Sequence, residues 1–124
     1  MTSTTNKKIL VSDDEEGIRE SLKLILGDQY NLILTADGQQ CLDCLANAKD
    51  IGLVLLDIKM PQINGLDVMK IIKDKYPYVK VVVITGYKSV EAATEAVNLG
   101  AAGYIVKPFK SDEILETVKK NLNK

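Results

Sequence analysis

The feature that most constrains the fold of this chain is a recurrence of five short apolar runs, each followed by a segment with helical spacing. The runs are apolar at consecutive positions, which is typical of strands covered on both faces in a parallel sheet. They occupy residues 9–11, 32–34, 53–56, 81–84 and 104–106. Five strand–helix units in succession predict an α/β fold: a doubly wound, five-stranded parallel sheet with right-handed crossovers.

The segments between the runs carry apolar residues three and four positions apart, as an amphipathic helix requires. Gly27 closes the first of these stripes, and residues 38–48 form the weakest of the five. In the fourth helix, the same spacing predicts that Val90 and Val97 belong to the apolar stripe. The helices are therefore predicted from one-sided patterns that pack against the sheet.

The length of 124 residues is that of a single domain. The five units fill residues 7–124, and the polar residues 1–6 are expected to form a flexible tail. No apolar run approaches the ~18 residues of a membrane span, and the polar N-terminus lacks the apolar segment of a signal peptide. We therefore expect a cytoplasmic protein with no membrane partner.

Composition excludes several classes of function. Sixteen basic residues against seventeen acidic ones leave a net charge of -1, without the basic excess that nucleic-acid binding uses. The chain has no histidine, which excludes a Ser–His nucleophile, a histidine-ligated zinc and a phosphohistidine carrier. Phosphoryl chemistry through a histidine would need the histidine of another protein.

The two cysteines, Cys41 and Cys44, lie within a helical pattern. A thioredoxin-like pair would instead follow a strand at a helix N-terminus, where the helix dipole lowers the thiol pKa. Two thiols without a histidine also make a poor zinc site. We interpret Cys41 as core filling and Cys44 as partly exposed.

Polar side chains follow four of the five predicted strands. Asp13 and Asp14 follow the first strand, Asp57 the third, Thr85 the fourth and Lys107 the fifth. In open α/β sheets the ligand site lies at the carboxyl ends of the strands, so these groups converge on one edge. Three close carboxylates need a counter-charge, and a hard divalent cation with oxygen ligands, Mg²⁺, would supply it. One carboxylate could then act as a nucleophile and form an acyl phosphate.

Each of these residues also has a plain structural interpretation. Asp14 could cap the first helix, Asp57 could belong to turn chemistry before Met60-Pro61, and Lys107-Pro108 could be a solvated loop. Their joint occurrence at the same end of different strands favours a functional site.

Several short motifs occur along the chain in a fixed order: residues 9–14, 55–61 with Asn64-Gly65, 84–87, Gly100-Ala101 and 104–109. In these motifs the chain resembles the receiver domain of bacterial two-component response regulators, over residues 7–122. The resemblance implies the flavodoxin-like strand order 2-1-3-4-5. Ser12 departs from the pattern, because the family is usually aliphatic there.

The resemblance implies a role for each residue of the acidic edge. Asp57 corresponds to the phosphoacceptor, and Lys107 pairs with the phosphoryl oxygens. Asp14, Asp57 and the backbone carbonyl of Lys59 correspond to direct ligands of Mg²⁺, which Mn²⁺ can replace, and Asp13 corresponds to an acidic partner of the ion that acts largely through water.

Further residues are implied to switch or tune the domain. Thr85 hydrogen-bonds the phosphoryl group, and the ring of Tyr104 turns inward as Thr85 moves. Side chains at Lys59 and Tyr87 tune the lifetime of the acyl phosphate, and Gly86 leaves room for the phosphoryl group. The Lys107–Pro108 peptide bond is implied to be cis.

The resemblance also implies partners. Asp57 would receive its phosphoryl group from a sensor histidine kinase or a histidine phosphotransfer protein, recognised near Gly17, Ile18 and Leu22. The face made by the fourth helix, fifth strand and fifth helix would then change and control a downstream effector, and it also offers a homodimer contact. Such a protein is a signalling phosphoacceptor that catalyses only its own phosphorylation and dephosphorylation, and it does not bind nucleic acid directly.

Two alternatives stay open. A haloacid dehalogenase-like phosphatase places its nucleophile after the first strand with a second Asp two residues later, whereas Asp13 and Asp14 are adjacent. A flavodoxin-like cofactor module needs a hydroxyl-rich loop after the first strand, whereas residues 13–16 are all acidic.

Overall fold

The computed structural model describes residues 7–60 and 63–122 and contains five strands and five helices in strict alternation. The predicted tail at 1–6 lies outside the described residues. The elements are β1 (Lys8–Ser12), α1 (Glu16–Leu26), β2 (Leu32–Thr35), α2 (Gly38–Asn47), β3 (Ile51–Leu56), α3 (Gly65–Lys75), β4 (Lys80–Thr85), α4 (Val90–Asn98), β5 (Gly103–Val106) and α5 (Ser111–Leu122).

The strands form one parallel sheet in the order β2-β1-β3-β4-β5, which confirms the predicted fold. All six residues of the central strand β3 are buried, as continuous apolar runs predict. The register pairs Ser12 of β1 with Leu56 of β3, and Thr85 of β4 with Val106 of β5. The carboxyl ends of these strands therefore lie side by side at one edge.

Two apolar clusters cover the two faces of the sheet. On one face, residues such as Leu10 and Val54 pack with buried side chains of α2, α3 and α4. On the other face, Ile9 and Leu53 pack with α1 and α5. Because successive side chains of a strand point to opposite faces, each central strand contributes to both clusters. The sheet edge that carries the polar residues is thus held between two cores.

The prediction that Val90 and Val97 lie on the buried face of α4 was wrong. Val90 is 80% exposed and Val97 is 59% exposed, whereas Ala96 is fully buried. Ala92 and Leu99 pack against the core with Ala96. The sequence of α4 contains two stripes at helical spacing, and the sheet takes the one with small side chains. The valines are left on the surface.

Local signals at the helix ends agree with the sequence. The side chains of Asp37, Asn64 and Ser89 each accept a hydrogen bond from the first turn of the helix that follows. Gly100 ends α4 with φ of 100°, a left-handed conformation that favours glycine. Cys41 is buried and Cys44 partly exposed, as expected, and both are free thiols.

Candidate functional site

The backbone ladder of the sheet continues past the strand ends and fixes the first residues of the site. These residues each donate their amide hydrogen to a carbonyl of the neighbouring strand. The bonds run from Asp13 N to Thr35 O at 3.1 Å, from Asp57 N to Ser12 O at 3.0 Å and from Lys107 N to Thr85 O at 2.9 Å.

The three predicted metal-ligating carboxylates are brought together. One oxygen from each of Asp13, Asp14 and Asp57 lies within 4.8 Å of the others. Asp13 and Asp57 are buried, whereas Asp14 is exposed. Burial raises the pKa of Asp13 because desolvation penalises the charged form, and the hydrogen bond from Lys107 opposes that effect. Clustered carboxylate oxygens are the donor set that Mg²⁺ takes, so these residues fit the predicted ion.

Lys107 is the positive charge at the centre of this group. Its Nζ lies 2.9 Å from Asp13 Oδ2, 3.0 Å from Asp57 Oδ2 and 2.6 Å from Glu15 Oε1. Burial disfavours the ammonium, but the hydrogen bonds to these three carboxylates outweigh it and raise the pKa of Lys107. The lysine therefore stays charged across the physiological range.

The Asp57 carboxylate is held by both of its oxygens. Oδ1 accepts a hydrogen bond from the backbone N–H of Lys59 at 2.8 Å, and Oδ2 contacts Lys107. The start of α3 lies close behind, because a Cβ on Gly65 would sit 2.2 Å from the Cα of Ile58. Only glycine permits this approach. These contacts fix the carboxylate in one orientation toward the cavity.

Asp14 does not cap α1, contrary to the plain structural interpretation of this residue. The N-cap position of α1 is Glu15, whose side chain makes no capping hydrogen bond. Asp13 Oδ1 accepts from Glu15 N at 2.9 Å, and Asp13 O accepts from Arg19 Nη1 at 2.8 Å. Asp14 is thus not the cap of α1 and stays exposed beside the carboxylate group.

An open cavity of about 370 Å³ lies over these groups. We call it the acidic cavity, and five of its six lining residues are predicted site residues, Glu15 being the exception. The residues that line it are Asp14, Glu15, Asp57, Lys59, Gly86 and Lys107. Its volume admits a phosphoryl group beside the Asp57 carboxylate.

The predicted switch and tuning residues meet at Tyr87. Its N–H donates to Thr85 Oγ1 at 3.4 Å, and its carbonyl accepts from the Tyr104 hydroxyl at 3.0 Å. The Lys59 ammonium lies 5.4 Å from the centre of the Tyr87 ring. Burial, followed by the negative charge of Asp57, raises the pKa of Tyr104. The Lys107–Pro108 peptide bond, which lies directly after the end of β5, is cis.

Two contacts were missed from the sequence. The ion pair of Glu15 with Lys107 was not predicted, because Glu15 is one of four consecutive acidic residues and nothing in the sequence singles it out. Ser12 Oγ donates to Asp37 O at 3.1 Å and lies 3.7 Å from Met60 Sδ. A polar residue inside an apolar run was the available signal for this link between β1 and the two neighbouring loops.

Within the described residues, no helix is long and apolar enough to cross a membrane.

The sequence and the fold both match those of known proteins. The sequence model of the "Response regulator receiver domain" family matches residues 9–119. Sporulation initiation phosphotransferase F of Bacillus subtilis is 36% identical over 118 residues, covering 94% of each chain. The CheY-like receiver domain of Methanospirillum hungatei superposes with a TM-score of 0.89 at 33% identity, covering 94% of each chain.

Other relatives are longer than this chain. The putative NtrX-like response regulator of Rickettsia bellii is 36% identical over 115 residues, which are 90% of this chain and 24% of that protein. The structure of NtrX from Brucella abortus matches with a TM-score of 0.86 at 33% identity, covering 94% of this chain and 27% of that one. The chain thus spans about a quarter of the length of these relatives.

Proposed function

The chain belongs to the response regulator receiver domain family, and on that premise we propose that Asp57 accepts a phosphoryl group from a histidine of a partner protein. Receiver domains act as phosphoacceptors in signalling. The donor would be a sensor histidine kinase or a histidine phosphotransfer protein, because this chain has no histidine of its own. We assign the whole of residues 7–124 to this one domain.

One observation carries the assignment of Asp57. Its carboxylate is 4% exposed, yet it lines the acidic cavity and contacts Lys107. A buried carboxylate that faces a cavity can be approached by a phosphodonor, and the ammonium beside it offsets the negative charge of the transferred group. Asp13 is equally buried but does not line the cavity, and Asp14 lines it but is exposed. Of these three described carboxylates, Asp57 is the one that combines burial, access to the cavity and contact with Lys107, which supports it as the phosphoacceptor.

The transfer step uses a carboxylate oxygen of Asp57 as the nucleophile. This oxygen attacks the phosphorus, an O–P bond forms, and the P–N bond to the donor histidine breaks with its electron pair going to the imidazole nitrogen. Lys107 balances charge on the phosphoryl oxygens during transfer. In dephosphorylation, water attacks the phosphorus, the O–P bond to Asp57 breaks as the carboxylate leaves, and a proton of the water passes to solvent.

The carboxylates of Asp13, Asp14 and Asp57 would hold Mg²⁺, with Mn²⁺ as an alternative, and we propose the backbone carbonyl of Lys59 as a further ligand. When bound, the ion supplies positive charge opposite the phosphoryl oxygens. Asp13 is positioned for this role by its hydrogen bond from Glu15 N, which orients one of its two oxygens.

The structural effect of phosphorylation would pass to the surface of the domain through Thr85 and Tyr104. Thr85 ends β4 beside the site, and Tyr104 is tied to the same loop through Tyr87. The face of α4, β5 and α5 would change with them and bind a downstream effector or a second copy. The exposed Val90 and Val97 give α4 apolar surface for such a contact.

The test is phosphorylation with acetyl phosphate and Mg²⁺, followed by intact-mass analysis and hydroxylamine treatment. We expect one hydroxylamine-sensitive phosphoryl adduct on the wild-type protein and none on Asp57→Asn. Asp74→Asn, an exposed carboxylate of α3, is the matched control and should retain the adduct. Turnover of small phosphate esters would instead identify a phosphatase. A folded wild-type protein without an adduct would refute the proposal.

A further inference from the structure

Glu15 occupies a position that the phosphoacceptor chemistry does not account for. Its Oε1 lies 2.6 Å from Lys107 Nζ, the shortest of the three contacts of that ammonium. The Glu15 side chain is 61% exposed, whereas those of Asp13 and Asp57 are 3% and 4% exposed. An exposed carboxylate thus lies over the cavity and pairs with its partly buried lysine.

The three carboxylates use all the donors that Lys107 has. A lysine ammonium carries three N–H groups, and here each has one carboxylate within hydrogen-bonding distance. Phosphorylation of Asp57 would release at most the one donor that its Oδ2 uses, while it brings several charged phosphoryl oxygens to the ammonium. A second phosphoryl contact then requires another of the existing partners to leave.

Glu15 is the partner that can leave. The Asp13 carboxylate also accepts from Glu15 N, and the Asp57 carboxylate also accepts from Lys59 N. Among the described residues, the Glu15 carboxylate hydrogen-bonds Lys107 and is otherwise attracted only by the charge of Lys59, and its exposure lets water replace the contact with Lys107. The side chain does not cap α1, so its departure leaves the helix intact.

We propose that Glu15 is a positioning residue that holds Lys107 before phosphorylation and competes with the phosphoryl group for the Lys107 ammonium. This inference rests on the proposed function of Asp57. Glu15 would therefore disfavour phosphorylation of Asp57, because the phosphoryl oxygens must displace its carboxylate to reach the Lys107 ammonium fully. Removing the Glu15 charge should therefore favour the phosphorylated state.

The first variant is Glu15→Gln, which keeps the size of the side chain and removes its charge. An exposed ion pair of this kind supports an effect of about two- to fivefold. We expect Glu15→Gln to bind the phosphoryl mimic beryllium trifluoride two- to fivefold more tightly by calorimetry, and to react faster with acetyl phosphate. Glu16→Gln, the adjacent exposed carboxylate, removes the same charge and should match the wild type within twofold.

A second background separates competition for the lysine from simple repulsion. In Lys107→Met there is no ammonium to compete for, so Glu15→Gln should give no further gain in beryllium trifluoride affinity. An equal gain in both backgrounds would overturn the competition. So would wild-type behaviour of Glu15→Gln while Asp57 is still phosphorylated. Absence of any Asp57 adduct on the wild-type protein would instead refute the proposed function, and the inference with it.

Discussion

Gly65 offers a direct test of how tightly α3 packs behind the phosphoacceptor. A Cβ at this position would lie 2.2 Å from the Cα of Ile58 and 2.8 Å from the carbonyl oxygen of Asp57. Both neighbours are backbone atoms, which cannot swing aside as a flexible side chain does. In Gly65→Ala, α3 and the loop after β3 must therefore separate by roughly 1 Å to restore ordinary contact.

The expected loss of stability follows from two opposing effects. Overpacking against a rigid neighbour costs about 1–3 kcal/mol, and here the upper part of that range applies because backbone must move. Replacing glycine by alanine at a helical position gains about 0.5–1 kcal/mol. The net prediction for Gly65→Ala is a destabilisation of about 2 kcal/mol.

Urea unfolding measures this difference. With a slope of about 1–3 kcal/mol per molar urea, the midpoint for Gly65→Ala should fall by about 1 M. Gly17→Ala in α1 is the matched control, because a Cβ there meets nothing within 4 Å. That variant should unfold at an equal or higher urea concentration than the wild type.

The same substitution should also slow chemistry at Asp57, since its carbonyl is one of the displaced atoms. Misplacing a reacting group by about 1 Å can reduce a rate by ~100-fold. We expect Gly65→Ala to react with acetyl phosphate at least tenfold more slowly, in order-of-magnitude terms, and Gly17→Ala to react normally. If both alanine variants were equally stable and equally reactive, the close approach described for Gly65 would be wrong.

Three further predictions follow from burial and charge. Burial raises the pKa of Cys41 to about 12, so iodoacetamide at pH 8 should label Cys44 alone by mass spectrometry; labelling of Cys41 at the same rate would contradict this. Ala96→Leu should destabilise the fold by about 1–3 kcal/mol in urea, whereas Val97→Leu on the exposed face should change it by less than about 0.5 kcal/mol. Mg²⁺ at 100 times its Kd should stabilise the wild type by about 2.7 kcal/mol, and Asp14→Asn should lose most of that shift in thermal unfolding; an equal shift in both would remove Asp14 from the ion site.

Much of the fold was predictable because one pattern determines it. A strand buried on both faces must be apolar throughout, and β3 and β4 show this directly in their sequences. The convergence of the Asp13, Asp57 and Lys107 positions followed from that same prediction, since parallel strands end at a common edge. These parts required no knowledge of individual contacts.

The face of α4 and the role of Glu15 were not predictable in this way. Both sides of α4 carry apolar residues at helical spacing, and only the space left above the sheet selects Ala96 over Val97. Glu15 is one of four consecutive acidic residues. Its pairing with Lys107 depends on where α1 begins, which places the Glu15 side chain above the ammonium. Such choices are made by tertiary geometry.

The hydrogen bonds at Tyr87 have a consequence for how this domain can change in evolution. The bonds to Thr85 and from Tyr104 use the main-chain N–H and carbonyl of Tyr87, whereas its ring lies against the Lys59 ammonium. Substitution of the ring therefore leaves the path between the two residues in place. An insertion or deletion between Thr85 and Tyr87 would displace these main-chain groups, so the connection constrains the length of this segment more than the identity of the side chain at position 87.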